Sequence, residues 1–112
     1  MLDNTITETN ISIREATTRY INITCKSRDT GEAFDLTEYT VQTYLSFGNN
    51  KLYVETTKAT NLISYKIPAN VSLGVTSGIA ETRIFKDGDV YEILRINVKV
   101  FKAVKPDLVP NA

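Results

Sequence analysis

The chain has no histidine, no tryptophan and one cysteine, and neither charge is in excess: 13 basic side chains face 13 acidic ones in 112 residues. The absence of histidine removes the commonest general base, the commonest metal ligand and every Ser-His or Cys-His nucleophile pair. With Cys25 alone there is no internal disulfide, a device that secreted domains of this size often carry. Balanced charge without a run of one sign offers no basic face to displace counterions from phosphate. We therefore expect no nucleic-acid partner and no electrostatic hold on a membrane. No apolar stretch approaches the roughly 20 residues that span a bilayer. Met1-Leu2-Asp3-Asn4-Thr5 has neither the basic start nor the apolar core of a secretory signal, so the expectation is a soluble product made inside a cell. Three sequons, at Asn10, Asn22 and Asn70, then read as coincidence in a Thr- and Asn-rich chain.

What the chain does have is one device repeated. Short runs alternate apolar and polar residues and end in Gly, Asn, Asp or Pro, the pattern of strands with one buried and one wet face. Residues 10–14 alternate as a short edge strand, followed by a turn-like link at residues 15–18. In residues 19–25, Ile21, Ile23 and Cys25 share a face, which makes Cys25 a small buried hydrophobe rather than a reactive thiol. Residues 26–38 form a polar connection that Phe34 and Leu36 should pin to the core. Strands follow over residues 40–47 and 51–57, and then Ile63, Tyr65 and Ile67 share a face up to Pro68. For residues 69–77 an extended crossover is favoured over one turn of helix. Asp87-Gly88, between runs 78–85 and 90–100, is the best-formed hairpin signal, since Asp-Gly holds the positive φ angles of a tight turn.

No apolar stripe of period 3.6 runs for three turns. The 15 threonines and 6 tyrosines suit half-buried pleated surfaces. The expected fold is all-β, an immunoglobulin-like antiparallel β-sandwich of about seven strands with flexible termini. Its divisions are an N-terminal arm at residues 1–9, the sandwich at 10–102 and a C-terminal tail at 103–112. A jelly roll or small barrel is the alternative. The core should comprise Ile21, Ile23, Cys25, Val41, Leu45, Ile63, Ile67, Ile84, Leu94, Ile96 and Val98.

Chemistry is sparse. Asp29, Glu32 and Asp35, with Glu38, are weak candidates for a cation site, but their spacing of three matches no EF-hand and apolar residues interrupt it. Leu73-Gly74-Val75-Thr76-Ser77-Gly78 lacks the GxxxxGK[ST] pattern and reads as a turn. No catalytic residue, metal or cofactor is expected, and the chain is not read as an enzyme. Tyr39, Tyr44 and Tyr53, with Val104, Leu108 and Val109 of the tail, are the expected interface, because aromatics concentrate in docking patches. The rival use of surface tyrosines is a carbohydrate-binding module.

One segment goes beyond a generic β pattern. Ile21-x-Ile23-x-Cys25-x-x-x-Asp29-Thr30-Gly31-x-x-Phe34-Asp35-Leu36-Thr37-x-Tyr39-Thr40-Val41-Gln42-Thr43-Tyr44-Leu45 resembles the N-terminal, immunoglobulin-like domain of phage baseplate upper proteins. Leu62-Ile63-Ser64-Tyr65-Lys66-Ile67-Pro68 is similar to that family's extended segment ending at proline, and residues 78–100 resemble its closing strands. The resemblance implies a non-enzymatic virion structural or adaptor protein, made in the host cytoplasm and located in the virion. It would dock other phage structural proteins in the capsid, neck, tail or baseplate, as a homo-oligomer or in several copies.

Overall fold

The computed structural model describes residues 6–104. They form eight strands: β1 (Ile6–Arg14), β2 (Arg19–Thr24), β3 (Thr40–Phe47), β4 (Asn50–Val54), β5 (Thr57–Ala59), β6 (Leu62–Ile67), β7 (Ser77–Lys86) and β8 (Asp89–Phe101). A five-stranded sheet in the order β1-β8-β7-β3-β4 packs on a three-stranded sheet in the order β2-β6-β5. This is an all-β sandwich in which β2 to β8 follow an immunoglobulin-like strand order and β1 lies in the larger sheet beside β8. Among the described residues no helix is long and apolar enough to cross a membrane.

Alternation decides which face each strand buries. On β8, Glu92, Leu94, Ile96, Val98 and Val100 point inward. They oppose Ile84, Thr82, Ala80 and Gly78 of β7 for as far as the antiparallel ladder runs. Asp87 (φ 54°) and Gly88 (φ 84°) close that ladder as the two-residue turn expected from Asp-Gly. Near the turn the pairing steps from Ile84 opposite Glu92 to Phe85 opposite Val90. Tyr91 is thus the extra residue of a bulge, which turns its ring out of the ladder toward the neighbouring loop.

The largest departures from the sequence reading lie at the first strand and in the middle of the chain. Residues 6–9, assigned to an arm, are the first half of β1, and β1 pairs with β8 in parallel rather than antiparallel. Ile6 lies opposite Ile93 and Arg14 opposite Phe101, so β1 follows the same direction as the last strand. The expected strand at residues 51–57 is split into β4 and β5, because the chain leaves one sheet at Val54 and joins the other at Thr57. Residues 69–71 form a single 3₁₀ turn within the crossover, placing Val71 and Ser72 in the core.

The core contains Ile21, Cys25, Leu45, Ile63, Ile67, Ile84, Leu94, Ile96 and Val98 as expected. Ile23 and Val41 are half-buried against it instead. Leu36 is fully buried and Phe34 packs on the core, so the polar connection is pinned as its sequence implied. The parallel β1–β8 pair sets the fold's polarity. The described chain enters beside the β7–β8 hairpin and leaves at the opposite pole, where β1 turns into β2.

Candidate functional site

The outer face of the five-stranded sheet carries the most organised exposed side chains. Register places Glu8, Arg95, Glu81, Tyr44 and Tyr53 in one row across all five strands. Arg95 bridges Glu8 at 3.5 Å and Glu81 at 3.2 Å, and Arg83 holds Glu81 at 2.9 Å. Burial alone would raise the Glu81 carboxyl, but the hydrogen bonds from Arg83 and Arg95 outweigh it and hold it below the usual range. At the end of the row Tyr44 and Tyr53 meet edge to face, 4.9 Å between centroids and 65° between planes, with Tyr53 69% exposed. The next row runs Asn10, Asn97, Ile79, Ser46 and Lys51. An open trough of ≈ 680 Å³ lies along it, lined by Asn10, Ser46, Ile79 and Asn97 of this row.

Tyr39 is elsewhere. With Phe34 and Tyr91 it forms an aromatic cluster at the hairpin pole, centroids 5.2–6.4 Å apart. The Lys86 ammonium lies 5.2 Å from the Tyr39 ring centre. Burial first, then the Tyr91 hydroxyl, pushes the Tyr39 phenol above its ordinary value. This cluster is fixed by Lys58 of β5, whose ammonium donates to the carbonyls of Leu36 (2.9 Å), Thr37 (3.0 Å) and Tyr39. The sequence contained no local sign of this contact, because its partners lie about twenty residues upstream.

At the opposite pole Glu15, read from sequence as part of a polar link, is only 3% exposed. Its carboxylate accepts the Gly74 N–H at 2.6 Å and the Ala103 N–H at 3.2 Å. The Ala16 N–H donates to Ser72 Oγ, which holds Ala16 at φ 59°. Two bulky apolar side chains, Leu73 and Val104, stand exposed beside these contacts, and Phe101 is exposed where β8 ends. Val104, one of the expected interface residues, is thus exposed at this pole, whereas Leu108 and Val109 lie outside the described residues.

The buried titratable groups are not arranged as reacting pairs. The Cys25 thiol is pushed up to about 11, chiefly by burial and secondly by the Glu92 charge. Burial likewise pushes Tyr65 up to about 12. Thr82 acts weakly on that phenol, yet the Tyr65 hydroxyl makes no hydrogen bond of normal geometry among the described residues. Neither group is set up as a nucleophile near neutral pH. Glu92 is fully buried and meets Arg28 at 3.3 Å. The signal for it was present in sequence, since Glu92 shares the parity of Leu94 and Ile96. The cation candidates do not converge: among the described residues no three acids form a metal-holding group. Asp35 accepts the Thr37 N–H at 2.9 Å and the Thr37 hydroxyl at 2.5 Å, and these bonds keep its carboxyl below the usual range. It is the anchor of a turn.

Of the expected interface residues, the structure thus brings Tyr44 and Tyr53 together, separates Tyr39 from them at one pole and places Val104 at the other. No family model matches the chain, and no curated protein is similar to it at a significant level.

Proposed function

We propose that this chain is a non-enzymatic structural or adaptor module of a phage particle, a rigid spacer that docks other virion proteins. The observation that supports this most is the parallel pairing of β1 with β8, which takes the chain in at one pole and out at the other. A body of 46 × 28 × 26 Å whose described residues begin at one pole and end at the other suits in-line connection between neighbours. Exposed Leu73, Phe101 and Val104 around the C-terminal exit, and Tyr53 and Ile79 on the outer sheet, supply apolar contact area.

The carbohydrate reading is less well served. Rings at 65° share no plane on which a sugar could stack, so Tyr44 and Tyr53 make a packed pair rather than a platform.

The experiment is mass spectrometry of purified particles of the phage encoding the chain, with immunogold labelling. Multiple copies per particle at a fixed position are expected. A chain absent from particles, or one that binds a glycan array through Tyr53, would overturn the proposal.

A further inference from the structure

We infer that β1 is a pairing edge for a second copy of this chain, joining two five-stranded sheets antiparallel across a two-fold axis at Ile11. The inference rests on the multi-copy reading above and specifies its contact.

Among the described residues β1 hydrogen-bonds on one side only, to β8. The free side can be assigned residue by residue. The Glu15 N–H donates to Phe101 O at 2.7 Å, next to the bridge of Arg14 with Phe101. In a parallel ladder this parity directs the odd residues of β1 toward β8. The even residues Glu8, Asn10, Ser12 and Arg14 then turn their N–H and C=O groups outward, away from β8; of these the Arg14 carbonyl accepts the Thr17 hydroxyl at 2.5 Å and keeps its second lone pair for a neighbour.

Natural edges are usually guarded by proline, lysine, a bulge, an inward charge or short length. The other three open edges are shorter: six residues in β2, five in β4 and three in β5, with Lys51 on β4 and Lys58 on β5. β1 is nine residues long, regular, and free of proline, glycine and lysine. Its inward side chains Thr9, Ile11 and Ile13 carry no charge.

Charge complementarity identifies the occupant and the register. An antiparallel copy centred on Ile11 sets Glu8 opposite the second copy's Arg14, and Asn10 opposite its Ser12. All four are residues whose backbone groups point outward, so each pair can exchange two hydrogen bonds, about eight in all. Shifting the axis to Asn10 or Ser12 loses the charge match. Side-chain exposure permits the pairing: Arg14 is exposed and donates to Lys102 O, and Glu8 is 52% exposed. Ile11, half-buried at the axis, would meet its own counterpart above the groove it lines with Tyr20, Ile23 and Ile96. Zero net charge leaves no long-range repulsion between copies. The contact is isologous and closed, so it stops at two copies.

Sedimentation equilibrium of the full chain tests this, with circular dichroism to confirm folding. The wild type should dimerise reversibly. Glu8→Arg and Arg14→Glu, each placing like charges opposite, should weaken the dimer about tenfold, and the double reversal should restore it. Ile11→Cys should give a disulfide-linked dimer on mild oxidation, while buried Cys25 in the wild type should not. A monomeric wild type, or a dimer insensitive to both single reversals, overturns the inference. A chain found in particles but monomeric in solution would remove this interface and leave the structural reading standing.

Discussion

The Glu15 carboxylate and the Ala103 N–H are 88 residues apart in the chain and 3.2 Å apart in space. The other carboxylate oxygen takes the Gly74 N–H, so one buried side chain ties together the first connection, the crossover after the 3₁₀ turn and the exit of the last strand. Replacing Glu15 with Leu would remove two part-buried, charge-assisted hydrogen bonds, at about 1.5–3 kcal/mol each. Glu15→Leu should lower unfolding stability by roughly 2–5 kcal/mol in urea titrations, and Glu15→Gln, which keeps one acceptor oxygen, by about half as much. A wild-type midpoint for Glu15→Leu would mean that these contacts do not hold the pole.

Gly78 on β7 has an ordinary φ, yet a Cβ there would lie 2.3 Å from the ring of Phe47. Phe47 is fully buried, so the ring has nowhere to withdraw. Gly78→Ala should therefore destabilise by about 1–3 kcal/mol through overpacking. Phe47→Leu in the same chain should recover part of that loss. Equal losses in the single and double variants would show that the two residues do not conflict.

Gly88 is the opposite case, with φ 84° and nothing within 4 Å of the point where a Cβ would stand. Any cost of substitution there comes from the backbone alone. Gly88→Val should lower stability by more than about 1 kcal/mol, whereas Gly88→Asn, which tolerates the left-handed region, should lose much less. Equal melting temperatures for the two variants would contradict the turn geometry.

The parts of the fold that were legible in sequence are those fixed by neighbours in the chain. Ile21 and Cys25, Ile63 and Ile67, and Leu94 to Val100 show their buried face by period two, and Asp87-Gly88 shows its turn by composition. Residues whose surroundings are assembled from afar were not legible. Alternation at Ile11 and Ile13 is the same whether β1 pairs parallel or antiparallel. Thr43 and Thr82 are fully buried because their hydroxyls bond each other at 2.8 Å across β3 and β7, a pairing that needs the sheet order. The candidate interface tyrosines were picked by residue type alone, and the point where the loop enters β3 parts Tyr39 from Tyr44.

Cys25 makes stability sensitive to alkali, and the sign follows from its environment. Burial, with the Glu92 charge beside it, raises the folded thiol from 9.0 to about 11. Below about pH 9 both folded and unfolded chains carry the proton, and the full stability is present. As pH climbs from about 9 toward 11 the unfolded thiol ionises first, so the unfolded state binds fewer protons and stability falls. A shift of this size corresponds to roughly 2–3 kcal/mol over the whole window. Tyr65, raised from 10.0 to about 12, adds a second decline at higher pH. Urea midpoints measured between about pH 8 and 10 should therefore fall in the wild type and stay flatter in Cys25→Ala, with the two curves becoming parallel only where Tyr65 takes over. Parallel curves across the whole range would show that the thiol titrates as freely in the folded chain as in the unfolded one, and that the core around Cys25 admits water.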